Sequence, residues 1–376
     1  MIRDVQVSLM IGPVVPIPVS RDVLDALQSI TVTTASGSAS GFQLTFTIST
    51  RSPLHTLFLV TGGTSAIPIV RVVIVATVNG TPNVLIDGVM TSHQITPGSG
   101  PGQATLTVTG EDLTKAMDFI DFSGIPYPAM PAEARVALIC AKYAFLGVLP
   151  MVIPSVLIDV PIPTDRIPRH QGTDLAYVRS LADEVGYVFA MNPGPAPGTS
   201  FAYWGPELKI GVPQPALNLD MDAHSNVESL QFTYEPDRKE LPIVYIQEPN
   251  SKVPIPIPIP DINPLNPPLG IVPAIPKRLE HITGTAKYSP IRGALIGLAK
   301  ASKTADTVTG NGTLDVARYG RVLQARKLVG VRGAGLAFDG LHYVKSVTHR
   351  IKRGEYKQDF TLARNGLIST LPKVPA

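Results

Sequence analysis

The chain has 376 residues, 44% of them hydrophobic and only 16% charged, with a net charge of +3. That length predicts two or three compact units, and so small a net charge excludes a whole-molecule electrostatic trap for nucleic acid. A charged share well below the roughly 25% of an ordinary soluble protein leaves apolar surface to be covered, which an extensive subunit interface would do.

The 37 prolines and 32 glycines, with few long helical patterns, predict a β-rich chain. Cys140 is the only cysteine, so no disulfide forms within the chain, which fits a reducing compartment. The start is apolar, but Asp4, Pro13, Pro16 and Pro18 break a signal-peptide pattern. Val5, Val7, Leu9 and Ile11 alternate as in a strand. The run "LFLVTGGTSAIPIVRVVIVATV" is interrupted by Gly62, Gly63, Pro68 and Arg71, so no membrane segment is expected.

"SRDVLDALQSI" predicts a short helix capped by Ser20. "ITVTTAS", "GFQLTFTIS", "VRVVIVATVNG", "NVLIDGVMTSHQI" and "QATLTVTG" follow as strands with turn signals, the pattern of a barrel or sandwich. At Glu111 the pattern changes. "EDLTKAMDFI" reads as a turn or two of helix. "PAEARVALICAKYAFLG" reads as a helix with Pro131 in its first turn. "GTDLAYVRSLADEVG" is a helix capped by Thr173 and stopped by Gly186, and "YVFAMN" and "SFAYWG" follow as strands. Strands return with "NVESLQFTYEP" and "LPIVYIQEP". Nine prolines between Val253 and Pro276 then exclude a central strand and favour polyproline II. Such a segment is either an arm laid on a partner or a surface excursion. "TLDVARYGRVLQARKLVG" reads as a helix, and "VTHRIKRGEYKQDFTLAR" as a closing β-hairpin.

These elements predict a β-rich α+β fold in which two related β-barrel domains flank a mixed α/β insert. The expected units are 1–112, 113–222 and 223–368, the last with a Pro-rich excursion over 250–278, and a tail at 369–376. The duplication rests on a gapless alignment of "SHQITPGSGPGQATLTVTG" with "THRIKRGEYKQDFTLARNG", in which six of nineteen positions match. It pairs His93 with His349, Gly98 with Gly354 and Leu106 with Leu362. "GFQLTFTIS" and "ESLQFTYEP" form a weaker second echo.

The final stretch, "GLAFDGLHYVKSVTHRIKRGEYKQDFTLARNG", resembles the C-terminal signature of the contractile-tail baseplate hub family. That family includes phage late-control D proteins, the base of type VI secretion VgrG spikes and the hubs of extracellular injection systems. "GTDLAYVRSLADEVGYVFAMN" resembles its middle segment and "LQSITVTTASGSASGFQLTFTIS" its first barrel. The resemblance implies a structural homotrimer of pseudo-six-fold symmetry that adapts a hexameric tail tube to a trimeric spike. It also implies assembly in the bacterial cytoplasm into a phage or phage-like particle, without cofactor or small-molecule substrate. Only "NGLISTLPKVPA" follows Arg364, so the spike is expected to be a separate protein. The alternative class is a β-sandwich adhesin or glycan-binding tail-tip protein.

Between positions 315 and 366 there are eleven Lys or Arg against four Asp or Glu. Arg350, Lys352 and Arg353 are the candidate contacts to an acidic tube or spike surface. Asp220, Asp222 and His224 alternate as metal ligands on a strand could, but no second ligand group stands nearby. "GVRGAG" follows a predicted helix, the wrong order for a phosphate loop. His93 and His349 are titratable, but recurrence at matched positions predicts packing or a hydrogen bond, not acid–base work. No catalytic or metal residues are assigned, and the chain is not expected to be an enzyme.

Overall fold

A computed structural model describes residues 5–49, 69–98, 103–155, 160–164, 167–221, 224–247, 253–260, 266–283 and 290–371. The first part holds strands β1 (Val5–Gly12), β2 (Ile17–Pro18), β3 (Leu27–Ala35), β4 (Gly41–Ser49), β5 (Arg71–Val78), β6 (Thr81–Pro97) and β7 (Gln103–Asp112); β1 alternates as expected, whereas β5 is buried on both faces. Helix α1 (Arg21–Ala26) is shorter than predicted, because β3 begins at Leu27. Ser20 stands at its N-cap without a side-chain bond.

The middle part carries α2 (Ala132–Ala141), β8 (Val148–Val152), α3 (Asp174–Val185), β9 (Val188–Pro193) and β10 (Ser200–Gly205). Helix α3 is as predicted: Thr173 Oγ1 accepts from Ala176 N at 3.2 Å, and Gly186 closes it in the left-handed region at φ 70°. A Cβ on Gly186 would lie 2.5 Å from the Ala299 backbone, so glycine is required twice over, by conformation and by packing. "EDLTKAMDFI" forms a 3-10 turn at Leu113–Asp118, with Asp112 accepting from Thr114 N.

The last part comprises β11 (Gln214–Asn218), β12 (Val227–Tyr234), β13 (Glu240–Gln247), β14 (Pro254–Pro258), β15 (Gly270–Pro273) and β16 (Arg278–Ile282). Helix α4 (Pro290–Lys303), β17 (Val308–Asp315), helix α5 (Val316–Tyr319), β18 (Leu328–Arg332), β19 (Gly340–Lys352), β20 (Glu355–Arg364) and β21 (Gly366–Ser369) complete it. One helix expectation is corrected, and one helix is additional to those expected. The segment read as a helix at 313–330 is the end of β17, one turn (α5) capped by Asp315 and stopped by Gly320 at φ 76°, and a loop. The additional helix is α4, whose Gly293 and Gly297 lower intrinsic helicity but allow close packing on Val244 and Ile259.

The β-rich α+β architecture is that expected, and the two halves share one hydrogen-bonded sheet. Its order is β12-β17-β20-β19-β3-β4-β7-β6-β5-β1-β2, with β18 and β11 branching from β19. The halves meet where β19 pairs antiparallel with β3, Thr348 opposite Thr33 and Arg350 opposite Thr31. One hydrophobic core runs beneath both, from Leu9 and Phe46 to Phe360 and Leu362. A second core, built around Trp204, Val178 and Ile139, fills the middle part.

The Pro-rich excursion is not a free arm over its described residues. β14 pairs antiparallel with the edge of β13, Ile246 opposite Ile255 and Val244 opposite Ile257. Pro254, Pro256 and Pro258 share one parity of the strand, and Ile259 N, of the other parity, donates to Pro242 O at 2.9 Å. The missing N–H groups therefore face away from the ladder, the one arrangement in which alternating prolines are tolerated in a strand, and the outer edge is left without those donors. Farther on, β15 pairs with β21, so the excursion is folded back onto its own chain.

Two arginines, the buried Arg71 and the half-buried Arg326, tie the parts together. Arg71 pairs with Asp87 at 2.6 Å and also donates to Gly198 O in the middle part. Burial lifts the Asp87 carboxyl above its ordinary pKa despite the downward pull of Arg71. Arg326 donates to Ala35 O and, in a short contact, to Asn192 Oδ1. It thereby joins first, middle and last parts at one point.

Candidate interface

The eight strands from β12 to β6 fall into two four-stranded units in the same order, β12-β17-β20-β19 and β3-β4-β7-β6. Their registers superpose. In the first unit Ser29 lies opposite Thr45, Gln43 opposite Thr109, and Thr109 opposite Ser92. In the second, Ser229 lies opposite Thr313, Asn311 opposite Thr361, and Thr361 opposite Ser346. Each unit carries a bulge at the same two places, at Gln28 and Thr91 in one and at Glu228 and Lys345 in the other. Bulges break a ladder at a defined residue, so they fix the correspondence independently of residue identity.

Volume is exchanged between the units. Phe42 faces Gly110 across one ladder, and a Cβ on Gly110 would lie 2.3 Å from the Phe42 ring. At the corresponding pair the large and small residues are reversed, Gly310 opposite Leu362. Likewise Leu44 opposite Val108 becomes Gly312 opposite Phe360. Cross-strand pairs are the unit of sheet packing, and here the division of bulk between the two strands changes from one unit to the other.

The correspondence differs from the gapless alignment. By register His93 stands where Val347 does, and His349 where Ile95 does; Leu362 matches Gly110, and Leu106 matches Gln358. His93 is exposed, whereas His349 is buried, sharing a 2.8 Å hydrogen bond with Tyr356. Burial presses His349 down to about 3, and His342, beside Arg364, likewise to about 3. Gly354 makes the β19–β20 turn at φ 82°, while Gly98 is exposed just past β6. The weaker echo is corrected too: "ESLQFTYEP" in β12 matches β3, not β4.

One face of the eight strands is apolar and covered; the other is open and hydroxyl-rich. Over 29–33, 43–47, 92–96 and 105–109 every residue on the open face is Ser, Thr or Gln. Thr33 and Thr348 hydroxyls meet at 3.1 Å across the junction of the two units, and Ser92 and Thr109 at 2.7 Å. Near the β19–β20 turn charge enters this face, and there it is internally matched. Arg350 pairs with Asp359 in a short contact, Lys357 with Glu228 at 2.9 Å, and Lys352 lies opposite Glu355. Arg353 donates to Asp25 O.

The basic count near the C-terminus is thus only partly a surface property. Arg364 is fully buried, with its guanidinium donating to the carbonyls of Gly366, Asp339 and Ala337, and Arg326 is the bolt described above. Asp222 lies outside the described residues. No group of three His, Cys, Asp or Glu able to hold a metal occurs among the described residues. Cys140 is buried and its thiol is pushed up to about 12 by burial. "GVRGAG" ends β18 and enters a turn where Asp339 accepts from Ala334 N. No described helix is long and apolar enough to cross a membrane.

Both ends of the eight-strand run are unpaired among the described strands. β12 pairs only with β17, and β6 beyond Met90 pairs only with β7. Ile95, on the apolar side of the β6 edge, is 48% exposed, although Leu106 opposite it is buried. Open edges and uncovered apolar side chains are what proteins ordinarily avoid in strands facing water.

A solved tail protein from Neisseria meningitidis MC58 has this fold, with a TM-score of 0.63 at 14% identity over 97% of this chain and 98% of that one. The 43 kDa tail protein of prophage MuSo2 from Shewanella oneidensis gives 0.60 at 12% identity, over 96% and 98%. The chain has a phage tail protein fold. The E. coli c3393 protein, a type VI secretion component described as similar to the T4 tail proteins gp27 and gp5, shares it with a TM-score of 0.55 at 11% identity, over 93% and 77%. No family model and no curated protein sequence matches the chain.

Proposed function

We propose that this protein is the structural hub of a phage tail or a related contractile injection machine, a homotrimer that joins a hexameric tube to a trimeric spike. The observation that carries the reading is the in-register duplication: one chain offers two equivalent four-stranded units side by side, with one edge of β12 and the outer length of β6 beyond Met90 unpaired among the described strands. Three such chains about an axis supply six units, a ring that a six-fold tube can meet on one rim and a three-fold spike on the other. The hydroxyl-rich face would line the lumen and the apolar face would carry the outer layers, with the units bounded near 112 and 222. Arg350, Lys352 and Arg353 lie at the turn end of the second hairpin and would contact the tube or the spike. Like-fold tail and type VI proteins support this reading.

Electron microscopy of intact particles tests it. The expected density is three copies on the central axis, between tube and spike, for every six tube subunits. Density off the axis would contradict it.

A further inference from the structure

We infer that the cleft between helices α2, α3 and α4 is a binding site for a single carboxylate, with Arg135 as its counter-charge. The site is independent of the hub reading. The cleft has a volume of about 370 Å³, and Arg135 lines it from near the N-terminal end of α2, only 7% exposed. A guanidinium taken out of water is costly unless an anion faces it. Among the described residues, the bonds of Arg135 go only to neutral groups. Nη1 donates to Tyr177 Oη at 2.5 Å and Nε to Pro131 O at 3.4 Å, with the Tyr177 ring 5.8 Å from Cζ. Nη2 makes no bond among those residues, so one arm of the guanidinium fork is left over. The first turns of a helix are also where the dipole disfavours a cation.

The neighbouring carboxylates are engaged elsewhere. Glu133 accepts from Ser155 N at 3.0 Å and Ser155 Oγ at 2.5 Å. Glu184 accepts from Arg292 at 2.9 Å, and Asp174 from Lys142 and Tyr143, each at 2.8 Å. Arg169, exposed at the rim, donates to another neutral group, Gly124 O, at 3.2 Å. Three arginines and two glutamates line the cleft, a balance of +1. One negative charge therefore neutralises it, whereas a phosphate dianion would be held against two glutamates. Ile167 and Leu295 give apolar wall, and Gln171 and Ser180 give polar groups. The ligand class that fits is one carboxylate on a neutral body, as in an aspartate or glutamate side chain, and a planar guanidinium suits it.

The test titrates four probes into the full-length protein by calorimetry: N-acetyl-aspartic acid N-methylamide, its neutral asparagine counterpart, acetate and inorganic phosphate. The aspartate probe should bind and the asparagine probe should not. Arg135→Gln should weaken aspartate binding by about ten- to a hundredfold while leaving the melting temperature of the unliganded protein nearly unchanged. Acetate bound as tightly as the aspartate probe assigns the site to free carboxylates, and weaker acetate assigns it to a carboxylate borne by a protein segment; either supports the site. Binding of neither carboxylate, equal binding of the asparagine probe, tighter binding of phosphate, or unchanged affinity in Arg135→Gln overturns it. Should Arg135→Gln fail to fold, Arg169→Gln at the exposed rim decides: weaker aspartate binding supports the site, and unchanged affinity overturns it. Failure here leaves the hub reading standing, because no arm depends on assembly.

Discussion

The hairpins β6–β7 and β19–β20 have the same bulge, the same polar face and the same place in their four-stranded units, yet their surroundings are opposite. The second is flanked on both edges, by β17 and β3, and its apolar face is closed over His349, Tyr356 and Phe360. The first is flanked only by β4 along its outer length, and Ile95 stands exposed. Equivalent positions are thus closed into the core in one copy and exposed in the other. Where a neighbour is supplied decides the role; residue identity follows from it.

The sharpest break of that comparison places one charge at matched positions. His349→Asp puts a carboxylate into a closed core, an uncompensated buried charge that costs about 3–5 kcal/mol; thermal unfolding would show most of the stability gone. Ile95→Asp should leave the melting temperature of the isolated chain nearly unchanged. Equal effects on folding at the two sites would remove the distinction.

The swapped pairs give the next effect. Leu362→Ala deletes bulk under Gly310 and should cost about 2–5 kcal/mol. Gly110→Ala, at the same structural position in the other unit, forces bulk against Phe42 and should cost about 1–3 kcal/mol. Denaturant unfolding measures both, and a neutral Gly110→Ala would show that Phe42 can move aside.

Acid sensitivity separates the copies as well. His342 and His349 are held neutral in the second half, their pKa pressed from 6.5 to about 3 by burial. The unfolded chain takes up those protons first, so their contribution is present above pH 6.5 and is lost as pH falls toward 3. The slope is about 1.4 kcal/mol per pH unit for each histidine. His349→Gln should flatten the acid limb of a stability–pH curve by about that amount; an unchanged slope would contradict the neutral buried state.

The smallest effect belongs to the exposed charges. Arg350→Ala breaks a pair with one partner 60% exposed, and such pairs contribute about 0–1 kcal/mol. Reversing Arg350, Lys352 and Arg353 together should leave stability within that range but weaken docking to tube or spike in a reconstitution assay. Normal docking would remove these residues from the interface.

Much of the strand and helix pattern was legible because alternation, Thr173 and Gly186 are local signals. The existence of a repeat was legible too, but its register was not. The β6–β7 and β19–β20 connections differ in length, so a gapless alignment cannot hold both strands in register at once. Helix α4 was hidden by Gly293 and Gly297, whose purpose appears only against Val244 and Ile259. The basic patch was over-read because charge counts cannot tell that Arg364 and Arg326 point inward to carbonyls. Nor does sequence say which strand edge lacks a neighbour, since that is a property of the whole sheet.

The measurement that bears most directly on the central claim is the mass of the purified full-length protein in solution, across a range of concentrations. If each chain counts as two tube-type units, the assembled species has three times the chain mass and its averaged axial view approaches six-fold symmetry. A protein that remains a monomer throughout, or that assembles as an even-numbered closed ring, would contradict the account.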